Sequence, residues 1–311
     1  MENKQFKIVS VNISEKKGVV KKPVGEARIT MEGLEGDAHA GPWHRQVSLL
    51  AWERIEEAAR SANTTFSYGT YAENLTTFGI DLRTVNVFDK LVNDTIELEV
   101  TQIGKRCHAK CAIAKQVGSC IMPVEGIFAR VVKPGMIKAG DSLRHVPKIF
   151  KVKIITLSDR SSSGLYEDRS GPIISQRIKD FMIEHNFKHE VSRIVIPDDG
   201  EIFRKNILDA VQNHYDIIFS TGSTGIGSRD IAPDTVLPLL NKEIPGIMDY
   251  IRLKYGAANP NALTSRAIAG VKNKTLIFTL PGSTKAVKEY MDEILPLLRH
   301  LILMVNDIPM H

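Results

Sequence analysis

A glycine-rich run in the second half of the chain carries residue types that suit phosphate binding. Residues 220–234 read Ser-Thr-Gly-Ser-Thr-Gly-Ile-Gly-Ser-Arg-Asp-Ile-Ala-Pro-Asp. Glycines let backbone N–H groups approach an anion closely, and aspartates suit a hard cation such as Mg²⁺. A simple reversal of the chain is the plainer alternative. The run predicts a phosphate-binding loop because an apolar, strand-like segment leads directly into it.

The elements around this loop predict a parallel sheet. The apolar segment at 215–219 reads as a buried strand, and Pro233 can open a helix after the loop. Strands and helices alternate throughout the second half, which is typical of βαβ units with right-handed crossovers. We predict strands at 152–157, 191–196, 215–219 and 275–280, and helices at 170–184, 201–213 and 284–305.

Polar segments follow each predicted strand. Because parallel strands end at the same edge of a sheet, we expect these segments to lie together. They are Ser158-Asp159-Arg160, Pro197-Asp198-Asp199, residues 220–234 and Pro281-Gly282-Ser283. For Asp198 alone, a turn-forming Pro-Asp-Asp is the plainer alternative. The sequence has no Gly-x-x-x-x-Gly-Lys-[Ser/Thr] run, which argues against a conventional P-loop nucleotidase.

The first half carries a different candidate group, a thiol among cations. Cys107 follows Lys105 and Arg106, and nearby positive charge favours the reactive thiolate. Cys111 and Cys120 lie in more apolar stretches, which favours buried and inert thiols. A zinc site built from the three cysteines and a histidine is an alternative, but their spacing matches no usual zinc pattern.

Short strands dominate the first half. Alternating apolar residues predict strands at 6–13, 26–31, 47–50 and 95–101, and helical spacing predicts a helix at 52–61. Short strands separated by turn signals favour a barrel. Pro147 and its charged neighbours mark a junction, so we predict a β-barrel domain over 1–148 and an α/β parallel-sheet domain over 149–311.

Composition is ordinary for a globular protein. The 311 residues are 43% hydrophobic and 25% charged, with a formal net charge of +5 and no dense basic run. These features favour a phosphorylated small molecule and disfavour nucleic acid as the ligand. Three cysteines, a polar start and no long apolar stretch predict a cytoplasmic protein without a membrane segment.

Motifs of the first half resemble the MOSC domain of molybdenum-cofactor sulfurases. The matching segments are Gly36-Asp37-x-His39, Glu73-Asn74-Leu75 and Thr101-Gln102-Ile103-Gly104-Lys105-Arg106-Cys107. The resemblance implies a β-barrel that binds the molybdenum cofactor or carries sulfur on a cysteine. Cys107 occupies the position of that cysteine, although many members have a proline before it.

Motifs of the second half resemble the MogA/MoaB molybdopterin adenylyltransferases. The matching segments are Leu157-Ser158-Asp159-Arg160 with Gly164 and Asp168, Ile196-Pro197-Asp198-Asp199, Thr221-Gly222-Ser223-Thr224-Gly225, Arg229-Asp230-Ile231-Ala232-Pro233-Asp234, Pro245-Gly246 and Leu280-Pro281-Gly282-Ser283. The chain departs from the family at Ser223, where a second glycine is usual, and at Ala232, where threonine is usual.

The second resemblance implies Mg²⁺-dependent transfer of an adenylyl group from ATP to molybdopterin. It implies catalytic and metal-binding roles for Asp198 and Asp230. Binding roles are implied for Ser158, Asp159, Gly222, Ser223, Thr224, Gly225, Pro281, Gly282 and Ser283.

The two resemblances together imply partners as well as substrates. A cysteine desulfurase would supply sulfur to Cys107, and molybdoenzymes would accept the cofactor. A non-catalytic carrier or scaffold for molybdopterin is the alternative, and the presence of both Asp198 and Asp230 favours an enzyme. The resembling family is commonly trimeric, and apolar residues on more than one side of the closing helix predict a homo-oligomer; these are Met291, Ile294, Leu295, Leu298, Leu301 and Ile302.

Overall fold

The computed structural model describes residues 5–105 and 120–309, and the chain divides into two compact units, Met1–Lys148 and Ile149–His311. Within the described ranges no helix is long and apolar enough to cross a membrane.

The amino-terminal unit consists mainly of short strands. They are β1 (Gln5–Ile13), β2 (Lys22–Val24), β3 (Glu26–Thr30), β4 (Gly33–Leu34), β5 (Val47–Ala51), β6 (Leu75–Phe78), β7 (Lys90–Val92), β8 (Glu97–Ile103), β9 (Ile127–Lys133), β10 (Gly135–Lys138) and β11 (Ser142–Val146). Helix α1 (Trp52–Ser61) has the predicted bounds, and a shorter helix α2 (Met122–Glu125) follows.

The predicted barrel is confirmed. Among the described residues the ring runs β1, β11, β7, β8, β9, β5, β6 and back to β1. Its neighbours are antiparallel except for β5 and β6, which are parallel. Phe6 and Ile8 alternate with less buried residues along β1, and Val11 follows a register shift between Ile8 and Ser10. All three are buried in the barrel core, because inward-facing side chains fill the interior of a small barrel.

The carboxyl-terminal unit is built on one sheet with helices packed against it. Its strands are β12 (Ile149–Leu157), β13 (Lys188–Ile196), β14 (Ile217–Thr221), β15 (Lys242–Glu243), β16 (Ala269–Lys272) and β17 (Thr275–Leu280). Its helices are α3 (Asp159–Ser162), α4 (Ser170–Glu184), α5 (Gly200–Gln212), α6 (Ala232–Val236), α7 (Pro245–Gly256) and α8 (Thr284–Val305).

The sheet is mixed rather than wholly parallel. Its order is β13-β12-β14-β17-β16-β15, and the first four strands are parallel as predicted. Strand β16 pairs antiparallel with β17, and β15 pairs antiparallel with β16, so β15 again runs in the direction of the first four strands. Chain order reverses between β12 and β14, because β12 leads outward to β13 while β14 lies on its other side. Ligands of open α/β sheets bind at such a reversal.

The closing helix α8 packs into the core of its own unit. Met291, Ile294, Leu298 and Ile302 are buried there. Leu295 and Leu301 are half-buried, so these six apolar residues do not form an open second face of the helix.

Candidate functional site

A cavity of about 730 Å³ opens at the carboxyl ends of the parallel strands. Residues from each of the four polar segments line it, so the structure brings them together as predicted. Its walls include Ser158, Asp159, Asp198, Gly222, Ser223, Asp230, Gly282 and Ser283. Thr224, Gly225 and Pro281, predicted for the same site, instead line a second cavity of about 340 Å³.

Two loops that line the first cavity are joined by a pair of reciprocal hydrogen bonds. The backbone N–H of Asp198 donates to Asp159 Oδ1 at 3.0 Å, and the backbone N–H of Asp159 donates to Asp198 Oδ2 at 3.1 Å. Arg229 from the glycine-rich loop also forms an ion pair with Asp159. The Asp198 carboxylate is therefore fixed in orientation while some of its lone pairs remain unused.

Asp230 is oriented by its own loop. The backbone N–H of Gly227 donates to Asp230 Oδ2 at 2.8 Å. A Cβ atom at Gly225 would lie 2.7 Å from the same oxygen, so a side chain there would push the carboxylate aside.

The glycine-rich loop makes a tight turn with two successive residues at positive φ. Gly222 has a φ of +99°, and a Cβ atom there would lie 2.3 Å from the carbonyl oxygen of Leu157. Ser223 adopts φ = +58°, the left-handed region, which explains why glycine suits this position. The Ser223 hydroxyl lies 3.0 Å from Asp198 Oδ1 and 2.6 Å from the carbonyl oxygen of Arg229.

Arg266 binds backbone carbonyl groups of the glycine-rich loop, and the sequence analysis did not select it. Its guanidinium donates to the carbonyl oxygens of Gly225 and Asp230, each at 2.9 Å. It also bonds both carboxylate oxygens of Asp234 at 3.0 and 2.7 Å, which raises the pKa of Arg266. No local motif marks Arg266, because its partners lie 32 to 41 residues earlier in the chain.

Asp168 has a structural role. Its Oδ2 accepts from the Thr156 hydroxyl at 3.0 Å, and its Oδ1 accepts from the backbone N–H groups of Ser170 and Gly171 at 3.1 and 2.9 Å. Asp168 therefore caps helix α4 and ties it to strand β12.

The second cavity has an aromatic wall that sequence reasoning also missed. Tyr255 and Tyr290 line it together with Asn259 and Asn261. The Tyr290 hydroxyl donates to Ser265 Oγ at 2.9 Å, and burial raises the pKa of Tyr290. The cavities meet at Ser223, Asp230, Gly282 and Ser283, which line both.

The predicted thiol site falls partly outside the described residues. Cys107 and Cys111 lie in the segment that the structure does not describe, so the prediction for Cys107 stays a prediction. Cys120 is half-buried and packs against the cluster of Leu50, Tyr71 and Met122. Across residues 5–105 and 120–309 no group of three His, Cys, Asp or Glu side chains is arranged to hold a metal ion.

The polar motif residues of the barrel form buried networks. Lys21 donates to both carboxylate oxygens of Asp37, and the backbone N–H of His39 donates to Asp37 Oδ1 at 3.0 Å. Burial opposes ionisation of Asp37, but the bonds from His39 and the charge of Lys21 outweigh it and hold the pKa of Asp37 well below its usual range. Glu73 accepts from the backbone N–H groups of Gly69 and Tyr71, so it too organises backbone.

Two family profiles match the chain. The family described as "MOSC domain" matches residues 36–144, and the family described as "Probable molybdopterin binding domain" matches residues 153–300.

Characterised relatives match the second half. Molybdenum cofactor biosynthesis protein B of Staphylococcus carnosus is 34% identical over 152 residues, which are 48% of this chain and 86% of that protein. Molybdopterin adenylyltransferase of Helicobacter pylori is 29% identical over 153 residues, 49% of this chain and 85% of that protein. Gephyrin of Dictyostelium discoideum is 38% identical over 164 residues, 51% of this chain but only 23% of its own length.

Proposed function

The chain belongs to the MogA/MoaB family of molybdenum cofactor biosynthesis proteins, joined to a MOSC domain, and we propose that its carboxyl-terminal unit transfers the adenylyl group of ATP to molybdopterin. The observation that carries this proposal is the pairing of two fixed carboxylates, Asp198 and Asp230, with a tight glycine loop in one cavity.

The two cavities suit two substrates that meet at their shared wall. In the proposed reaction, Ser158, Asp159 and Ser283 bind molybdopterin in the first cavity. The second cavity, lined by Thr224, Gly225 and Pro281, then receives the nucleotide. In this proposal the reacting phosphates would meet beside Ser223 and Asp230, which line both cavities.

The chemistry is an in-line displacement at phosphorus. A phosphate oxygen of molybdopterin attacks the α-phosphorus of ATP and forms a new P–O bond. The bond from the α-phosphorus to the bridging oxygen breaks, and pyrophosphate leaves with that oxygen. Such transfers depend on positioning and on neutralisation of negative charge. Backbone N–H groups of residues 223–225 would supply donors for the phosphates, whereas the N–H of Gly222 donates to the carbonyl oxygen of Leu280 at 3.0 Å.

Asp198 and Asp230 fit a magnesium site that is completed by substrate. Mg²⁺ is usually bound by one or two protein carboxylates, with phosphate oxygens and waters filling the rest of an octahedron. Both carboxylates keep unused lone pairs, as such a site requires. When bound, Mg²⁺ would neutralise charge on the transferring phosphates.

For the amino-terminal unit we propose binding of the same cofactor or sulfur transfer through Cys107. A cysteine desulfurase would donate the sulfur, and molybdoenzymes would be the acceptors. We further propose that the protein is cytoplasmic and forms a homo-oligomer, a trimer by analogy with its family. Ile226, Leu253 and Leu263 are exposed apolar residues that suit an interface, and light scattering at micromolar concentration measures the assembly.

The test of the proposed reaction is pyrophosphate release from ATP in the presence of molybdopterin and Mg²⁺. Asp198→Asn and Asp230→Asn should each lower turnover about a hundredfold or more, because each removes charge used in the transition state. Molybdopterin binding should survive in both variants. Asp209→Asn, on the exposed face of α5, is the matched control and should keep wild-type turnover.

A carrier or scaffold would behave differently. It would bind molybdopterin without releasing pyrophosphate, and neither Asp198→Asn nor Asp230→Asn would alter a catalytic rate. Wild-type turnover in either variant would remove that aspartate from the reaction.

A further inference from the structure

One wall of the first cavity carries a cluster outside the predicted site residues. Arg160 lies in α3, Tyr166 in the connection that follows, and Arg169 directly before α4. All three line the first cavity. We call Arg160, Tyr166 and Arg169 the arginine–tyrosine cluster.

The two guanidinium groups of the cluster both contact one ring. The Cζ atom of Arg160 lies 5.6 Å from the centroid of Tyr166, and that of Arg169 lies 5.5 Å from it. The backbone N–H of Tyr166 donates to the carbonyl oxygen of Arg160 at 3.1 Å, which holds the connection in a turn. Cation–π contact and this turn limit the rotamers that the arginines can adopt.

Among the described residues, the two arginines of the cluster have little neutralisation from carboxylates. Arg229, the other arginine of the cavity, is paired with Asp159. Within the described residues, Arg160 has no carboxylate at ion-pair distance, and Arg169 reaches only Glu167, at 4.0 Å. The Glu167 side chain is 83% exposed, so this contact is weak. Two guanidinium groups therefore keep donors for a ligand.

We propose that Arg160 and Arg169 bind a phosphate group of the substrate in the first cavity, and that Tyr166 is a positioning residue for both. The proposal rests on the proposed function, since both substrates of that reaction carry phosphate. A guanidinium presents parallel N–H donors that match two phosphate oxygens. Because several carboxylates also line this cavity, uncommitted cations are needed there to offset their repulsion of an anion.

The phosphate has two sources: the phosphate monoester of molybdopterin, which the proposed reaction puts in the first cavity, and the triphosphate of ATP, which would reach it from the second cavity across the shared wall. Calorimetry on the full chain would measure the Kd of ATP, pyrophosphate and molybdopterin separately, at two salt concentrations. Arg160→Gln and Arg169→Gln should each weaken one of these ligands about tenfold or more and reduce its salt dependence. Weakening of ATP and pyrophosphate identifies the first source, and weakening of molybdopterin identifies the second.

Three control variants distinguish the loss of a positive charge from a loss of folding. Arg204→Gln removes an exposed arginine of α5 and should change no Kd. Tyr166→Leu keeps both charges but removes the ring, so affinity should fall by a smaller factor. Tyr166→Phe keeps the ring and should restore wild-type binding, which a loss of folding would not produce.

Wild-type Kd values for all three ligands in both arginine variants would overturn the proposal, as would a wild-type protein that binds none of them. If the arginine variants bind all three ligands as the wild-type protein does, and the wild-type protein releases pyrophosphate, the role of the cluster is withdrawn while the adenylyl transfer remains supported. The opposite result is also informative. If the arginine variants bind phosphate ligands more weakly but the wild-type protein releases no pyrophosphate, the binding role of the arginine–tyrosine cluster is supported and the proposed adenylyl transfer is withdrawn.

Discussion

The role of Ser223 could not be predicted from the sequence alone. The sequence marks it as a departure from glycine, but only the structure shows a φ of +58° and a hydroxyl beside Asp198. One hydroxyl proton serves either Asp198 or the carbonyl of Arg229 at a given moment. Ser223 therefore combines backbone strain with a contact to a proposed catalytic carboxylate.

We expect Ser223→Ala and Ser223→Gly to separate these two effects. Both lose the hydroxyl and should lower turnover to a similar extent, because Asp198 loses the same partner. Ser223→Gly also relieves the left-handed strain, so it should be more stable than Ser223→Ala by about 1 kcal/mol. Thermal unfolding followed by circular dichroism at 222 nm measures the difference. Equal stability of the two variants would show that φ carries no cost here.

Other residue roles depended on tertiary contacts. Residue types at the strand ends were enough to select the loops that contain Asp198 and Asp230, whereas the roles of these two aspartates were implied by the family resemblance. The structure brings both aspartates to the first cavity. Arg266 and Tyr290 could not be selected, because their partners come from distant segments. Asp168, by contrast, was noticed in a family motif and proves to cap a helix.

At the scale of elements, periodic segments were predicted best. Helices α1, α4 and α8 and strand β17 have the predicted bounds. The helices carry apolar residues at helical spacing, whereas β17 is a short apolar run that is buried at every position. Strand β16 was missed, since Ala269-Gly270-Val271-Lys272 has no such pattern and is defined by pairing with β17. The pairing of β1 with β11, which closes the barrel, could not be predicted either, because the two strands lie far apart in the sequence.

Connections between elements of the barrel rely on the buried pair of Lys21 and Asp37. Lys21 precedes β2 and Asp37 follows β4, so the pair joins two segments. Because the folded-state pKa of Asp37 is depressed, the stability that it provides is present above its unfolded pKa, about 4. That stability should be lost progressively as the pH falls below about 4.

The measurement is urea unfolding from pH 7 to pH 3, followed by tryptophan fluorescence. Both tryptophans, Trp43 and Trp52, belong to the amino-terminal unit, so the signal reports that unit alone. Asp37→Asn should lose about 3–5 kcal/mol at neutral pH, since it leaves a buried ammonium unpaired. The double variant Lys21→Met, Asp37→Leu should recover much of this and show a flatter acid response. An unchanged acid response would assign the pH dependence to other carboxylates.

At the scale of the whole molecule, a MOSC domain and a molybdopterin-binding type of domain are joined in one chain. A sulfur-carrying thiol in the first unit would connect their chemistries. Incubation with a cysteine desulfurase and cysteine should add one sulfur atom to Cys107, and Cys107→Ser should abolish the gain. Mass spectrometry locates the addition, with Cys120→Ser as the control that retains it. Sulfur on Cys111 instead would withdraw the role from Cys107.

The ring closure of the barrel has a consequence for how such a unit can be exchanged between proteins. Its first strand pairs with its last, and Gln5, Phe6 and Lys7 stand opposite Arg144, Leu143 and Ser142. The entry and exit of the chain are therefore neighbours on one rim. A module with adjacent ends can be inserted, removed or circularly permuted while its core pairings stay intact. This geometry allows the amino-terminal unit to be joined to another domain at either end while every strand pairing of its barrel is kept.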